Sequence, residues 1–197
     1  MITGSTLNEA VGLPGIETLD GYRQYVRTEY GPLASRCLEV YPAVDDTTAF
    51  EASGDMLGDR VFGWQNFTWA RLARSKGTNP VFYYDLEHAP PIPVGRYVER
   101  RRGAAHGIDM AYSFKNLNAY SWQWRPEDAA LSAMVSRNWV NFARTGNPNG
   151  GDLPTWAPFE GRAGPALRIT QSPHMAIPTR LDRFEMLDQY YGRQPAR

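Results

Sequence analysis

Cysteine is almost absent from the 197 residues: Cys37 stands alone. An intrachain disulfide and a cysteine-based metal cluster are therefore excluded. A single thiol fits an oxidising and a reducing compartment alike. Lysine is scarce too, confined to Lys76 and Lys115, so arginine carries nearly all the positive charge. Neither sign is in excess, with 21 Lys+Arg against 21 Asp+Glu, and the basic surplus that nucleic acid selects is missing. The densest basic stretch, Arg96, Arg100, Arg101 and Arg102 around Glu99, reads as a solvated loop ahead of a functional segment. No apolar run approaches the ~20 residues of a membrane span. The opening MITGSTLNEA has neither a basic region nor a long apolar core, so it does not read as a signal peptide.

Whole classes of motif are missing as well. There is no His-x-x-x-His and no cysteine pair, so no metal site is expected. Neither a glycine-lysine phosphate loop nor Gly-x-Gly-x-x-Gly occurs, so no nucleotide cofactor is expected. None of the nine serines has glycine at both −2 and +2; the Gly-x-Ser-x-Gly turn that exposes a hydrolase nucleophile is not in this chain.

Aromatic residues are plentiful: 6 Trp, 11 Tyr and 8 Phe. Disordered chains lack that much aromatic surface, and the length suits one domain with a core of its own. The pattern predicts a short, apparently cut strand over Met1–Thr6 and a helix opening at Thr18-Leu19-Asp20 that Gly31-Pro32 stops. A short helix over Leu33–Val40 follows. A long helical segment is expected from Thr47 to Ser75, with Phe50, Met56, Leu57, Val61, Phe62, Trp69, Leu72 and Ala73 as apolar positions and Gly77 as its cap. The run from Pro80 to Leu86 reads as a strand buried on both faces of a mostly parallel sheet. Val94 to Gly107 reads as irregular. From Pro126 a helix carries Leu131, Met134, Val135, Trp139 and Phe142 on one stripe and ends at Gly146. A small hairpin is expected from Ala166–Thr170 and Met175–Pro178, then a last helix over Leu181–Tyr191. No internal repeat or domain linker is visible.

Three histidines could titrate near neutral pH: His88, His106 and His174. His106 stands out, because Gly103-Ala104-Ala105-His106-Gly107 surrounds it with small residues that let backbone and substrate approach. By itself that setting suits a structural or merely exposed histidine equally well. His88 reads as an anchor at the end of a buried strand, and His174 as a surface residue.

Several segments together resemble the type-B carboxylesterases, the family that includes the cholinesterases. Gly4-Ser5-Thr6-Leu7-Asn8-Glu9 resembles the family's Gly-x-x-x-x-Glu, and Pro80 to His88 resembles the strand leading to its histidine loop. Gly103 to Phe114 resembles that loop itself. Trp139-Val140-Asn141-Phe142-Ala143-Arg144-Thr145-Gly146-Asn147-Pro148-Asn149 and Leu153 to Phe159 resemble its late helix and the chain beyond. The resemblance covers nearly the whole chain in order.

It implies an α/β fold: the C-terminal part of an α/β-hydrolase, helix-rich, with a few strands of the central sheet and a small C-terminal hairpin. Residues 1–197 would be one segment of a catalytic domain, truncated at its start. It further implies that Glu9 is the acid and His106 the base of a catalytic triad acting on small carboxylic esters. Asp109 would be a support and no cofactor would be needed. The serine, the oxyanion-hole glycines and most of the sheet would lie in an N-terminal half outside this chain. Two alternatives stand beside this reading: an inactive fragment, and a member of the fold that has lost its nucleophile and serves binding or adhesion.

Overall fold

The computed structural model describes residues 1–93, 103–161 and 164–192. The basic cluster of Arg96, Arg100, Arg101 and Arg102 lies outside the described residues, as does most of the irregular stretch expected up to Gly107.

Four strands form one sheet in the order β1 (Ile2–Thr6), β2 (Phe82–Leu86), β3 (Ala166–Ile169), β4 (His174–Ala176). The first three run parallel, with Ile2 beside Phe82 and Leu86 beside Ile169; β4 turns back antiparallel on β3 as the expected hairpin. Parallel strands need long crossovers. Between β1 and β2 these are α1 (Leu19–Tyr30), α2 (Ala34–Val40), α3 (Asp46–Gly58) and α4 (Trp64–Lys76). Between β2 and β3 come α5 (Ile108–Ser113) and α6 (Pro126–Thr145), and α7 (Leu181–Gly192) closes the described chain. This helix-rich mixed sheet is part of an α/β-hydrolase fold, as the family resemblance implies.

β2 is buried along its whole length, and its alternation feeds two cores. Val81 and Tyr83 join Tyr22, Val26, Met56, Phe67 and Phe184 on one face, under α1–α4 and α7. Phe82, Tyr84 and Leu86 join Tyr112, Leu131, Val135 and Trp156 on the other, under α5 and α6. Gly4 sits opposite Tyr84, where a side-chain carbon would run into the Tyr84 carbonyl and ring.

The helices begin and end where their chemistry dictates. Thr18 caps α1, its side chain accepting from the Gly21 N–H, and Asp45 caps α3 in a capping box with Thr48. Gly146 ends α6 in the left-handed region at φ 75. Gly77 does end α4, but in an extended conformation.

Two expectations need correction. The helical segment expected over Thr47–Ser75 runs unbroken from Asp46 to Lys76, but a π turn, Asp59–Gly63, separates α3 from α4, and the face it buries differs in part. Phe50 and Met56 are buried as expected, with Ala49, Ala52, Phe67 and Ala70 beside them, while Leu57, Val61, Trp69 and Leu72 are exposed. Alanine and glycine make up much of that face, which lets the helix approach its neighbours closely. On α6, Leu131 and Val135 are buried, whereas Met134, Trp139 and Phe142 are only half-buried against the core.

The consequence is measurable. Trp156, fully buried, donates its indole N–H to the Tyr83 carbonyl at 3.1 Å and packs 5.7 Å from Trp139. Trp156→Ala is expected to cost roughly 3–5 kcal/mol in a denaturant melt, and Trp139→Ala about half as much, because part of its ring already faces water. Equal costs for the two would contradict this burial order.

Candidate active site

The chain leaves β1 at Thr6 and at once folds Glu9 back on the strand end. Glu9 Oε1 accepts the Thr6 N–H at 2.7 Å, and Oε2 lies 2.7 Å from His106 Nδ1. Ninety-seven residues separate the two in sequence. The loops meet through backbone: Asn8 N–H donates to the Ala104 carbonyl at 3.0 Å, and Ala104 N–H to Asn8 Oδ1 at 3.1 Å. Gly103 makes that approach possible; it sits at φ +130, and a side-chain carbon there would collide with Asn8. Glycine and alanine around His106 thus serve close backbone contact.

The carboxylate is buried and the imidazole is not: the side chains are 4% and 57% exposed. Glu9 fixes Nδ1, which leaves Nε2 as the free basic nitrogen. Among the described residues none hydrogen-bonds it. Beside the ring lies a hollow of about 180 Å³ lined by Met110, Tyr120 and Trp122. The Phe62 ring stacks on the imidazole, centroids 4.1 Å apart and planes 27° from parallel.

A second histidine–carboxylate pair provides the contrast. His88 Nε2 lies 2.6 Å from Asp128 Oδ1, with side-chain exposures of 6% and 0%. Asp128 also accepts from Tyr112 Oη at 2.9 Å and from Arg125 Nε at 2.8 Å. This pair is a sealed anchor at the end of β2, in keeping with the sequence reading of His88. His174 is exposed, with Nδ1 2.9 Å from the Ser172 carbonyl in the hairpin turn. Asp109 accepts from Tyr84 Oη at 2.7 Å and so ties α5 to β2.

Asp128 sets an acid limit. Burial works against its ionisation, but the hydrogen bonds from Arg125, His88 and Tyr112 outweigh it and hold the carboxyl well below the usual range. A depressed folded pKa contributes stability above the unfolded value of about 3.9, and that contribution is lost as pH falls towards the folded value. Stability should therefore drop from about pH 4 downwards. Asp128→Asn should flatten that drop while lowering stability at neutral pH, as read by urea midpoints across the range.

Sequence reasoning missed one polar centre altogether. Arg180, 2% exposed, lies just ahead of α7 and donates to four groups: the Thr6 carbonyl (3.1 Å), Asp59 Oδ1 (3.1 Å), Ser5 Oγ (2.8 Å) and Asp85 Oδ1 (2.8 Å). Burial disfavours its charge, but Asp85 and Asp59 keep it cationic. Asp59 also accepts from Tyr41 Oη at 3.0 Å. Nothing in Pro178-Thr179-Arg180 signals this in sequence, since arginine is ordinarily a surface residue.

Among the described residues no group of three His, Cys, Asp or Glu could hold a metal, and no described helix is long and apolar enough to cross a membrane. The chemistry on offer is that of an oriented, reachable imidazole backed by a buried carboxylate.

Comparison with known proteins agrees in kind. The model of the carboxylesterase family matches residues 18–187, which takes in His106 and begins after Glu9. Carboxylesterase 4A of Bos taurus is 37% identical over 102 residues, 52% of this chain and 18% of that protein. Liver carboxylesterase of Sus scrofa is 34% identical over 110 residues, 56% of this chain and 19% of that protein. Fatty acyl-CoA hydrolase precursor, medium chain, of Anas platyrhynchos is 34% identical over 106 residues, 54% and 18% respectively. The chain matches less than a fifth of the length of each of these relatives. With the family model spanning most of its residues and the fold in agreement, the chain belongs to the carboxylesterase family.

Proposed function

We propose that this chain supplies the acid and the base of a serine esterase that cleaves small carboxylic esters through an acyl-serine intermediate. The observation that carries the reading is the His106–Glu9 pair: a buried carboxylate at 2.7 Å from Nδ1 and an exposed ring. In that role His106 Nε2 takes the proton from the serine hydroxyl as it attacks the ester carbonyl, then returns it to the departing alcohol. A water activated by the same nitrogen releases the acid. Glu9 holds the tautomer and offsets the charge of the imidazolium. The names of the relatives, carboxylesterases and an acyl-CoA hydrolase, point to the same class of reaction.

The nucleophile has to come from elsewhere, since Gly-x-Ser-x-Gly is not in the sequence. The open side of β1 is where a serine-bearing segment would dock, with residues 1–197 as the C-terminal part of one catalytic domain. β1 is the edge of the four-stranded sheet. Beside it runs a hollow of about 380 Å³ lined by Ile2, Thr3, Asn66, Tyr84, Trp139 and Phe142. Trp69, three residues on from Asn66, is 59% exposed. An unpaired edge flanked by aromatic surface favours another strand or aggregation.

The test is an assay with a short-chain aryl ester. The 197-residue chain alone should show no hydrolysis above background and poor solubility. Co-expression with the serine-bearing half of a type-B carboxylesterase should bring both solubility and organophosphate-sensitive turnover. Organophosphate-sensitive hydrolysis by the chain alone would mean that one of its own serines is the nucleophile.

A further inference from the structure

We propose that Phe62 is a positioning residue for His106, and that the π turn Asp59–Gly63 is the element that presents it. The hydrogen bond to Glu9 fixes a single atom of the imidazole, Nδ1. It leaves the ring free to rock out of its plane, and each such swing turns the Nε2 lone pair away from its target. The Phe62 ring supplies the second constraint, lying against the face of the imidazole at 4.1 Å. An in-plane bond and a face contact together define the ring plane. Because the histidine side chain is 57% exposed, little else restrains it.

Phe62 is spare to the core. It is half-buried and belongs to neither hydrophobic cluster. Its immediate neighbours, in contrast, are clamped. Asp59, 2% exposed, is held by Arg180 at 3.1 Å and Tyr41 Oη at 3.0 Å. Gly63 packs so closely that a side-chain carbon there would lie 3.0 Å from Asp59 Oδ1 and 3.2 Å from Arg180 Nη1. At the head of the turn, a carbon added to Gly58 would lie 3.0 Å from Glu9 Cβ. One short segment therefore braces Glu9 at its start and covers His106 from its middle. π turns are unfavourable relative to a continuous α-helix and persist where the altered path is used. Here the altered path carries a ring that the core does not need.

The kinetic part of this inference rests on the proposed catalytic role of His106; the spectroscopic part does not. Relaxation of the His106 ring C–H groups reports how far the ring rocks, and it can be read on the 197-residue chain kept in solution as a fusion. Wild type and Phe62→Tyr should both show a rigid ring. Phe62→Ala should show a mobile ring whose Nδ1 proton is still held by Glu9, while Val61→Ala, on the exposed side of the same turn, should leave it rigid. In the completed esterase, Phe62→Ala should lower kcat about three- to tenfold with KM unchanged, the worth of one ring contact, and Phe62→Tyr should recover it. An equally rigid ring in Phe62→Ala, an equal effect of Val61→Ala, or a rise in KM with kcat intact would overturn the proposal. A mobile ring in Phe62→Ala, with a completed esterase inactive in every form, would support the positioning and sink the proposed function.

Discussion

His106→Ala, placed in an esterase completed with the serine-bearing half, is expected to lower kcat/KM for a short-chain aryl ester by about 10⁵- to 10⁶-fold. Members of a serine triad act as a unit, and losing the base costs nearly as much as losing all three. What survives is binding and whatever oxyanion stabilisation the partner half supplies. Glu9→Gln should cost roughly 10⁴-fold, because an amide in place of the carboxylate favours the wrong tautomer and leaves the imidazolium unsupported. The Thr6 N–H that Glu9 Oε1 accepts at 2.7 Å can still be met by the amide oxygen. Folding should therefore change little, and a thermal melt separates lost chemistry from lost structure. Turnover within tenfold of wild type for His106→Ala, with an intact melt, would remove His106 from the mechanism. The parallel substitution at His88 should behave in the opposite sense. Its pair with Asp128 is sealed, so His88→Ala should lower stability ahead of any effect on the chemistry.

The largest effect on stability is expected at Arg180. Arg180→Met should destabilise the chain by about 3–5 kcal/mol, the cost of leaving a buried charge without its partner. For a protein of this size that is a drop of roughly 6–20 °C in Tm. Asp59 and Asp85, 2% and 0% exposed, would both lose a cation. The Thr6 carbonyl and Ser5 hydroxyl would lose a donor as well. Asp59 retains Tyr41 and a longer contact to Arg183 at 3.4 Å, so Asp85 bears most of the damage. Burial already pushes the Asp85 carboxyl up, and Arg180 is what pulls it back. Adding Asp85→Leu to Arg180→Met should accordingly recover part of the loss. A double variant no better than the single would show that packing of the arginine, not its charge, is what stabilises the fold.

Much of this architecture is legible in the sequence because it follows local rules. β2 announces itself as a nearly continuous apolar and aromatic run from Val81 to Leu86, broken only by Asp85, and α6 by proline and acid at its start and glycine at its end. His106 is legible because the small residues required for backbone contact with Asn8 are written next to it. Glu9 is legible only through the family resemblance; a lone carboxylate after a short strand has no pattern of its own. What stayed hidden depends on partners far away in the chain. On α3 and α4 hydropathy finds Phe50 and Met56 but not the alanines and glycines that share their buried face. The π turn has no sequence signature, so the placement of Phe62 over the imidazole could not be foreseen. Arg180 is hidden for the same reason: its four acceptors lie between Ser5 and Asp85, and only the finished fold gathers them.

That gathering has a consequence for how the molecule is made. The cation that neutralises Asp59 and Asp85 sits 121 and 95 residues downstream of them. As the polypeptide emerges from its N-terminus, both carboxylates are present long before Arg180 exists. Until then the tip of the sheet, where β1, β2 and the π turn converge, cannot dry out without stranding two negative charges. Growing chains are therefore expected to keep that corner wet until residue 180 arrives. Synthesis and final consolidation are thereby expected to be coupled, since a chain halted before α7 lacks the arginine that closes the seam between β1, β2 and the π turn.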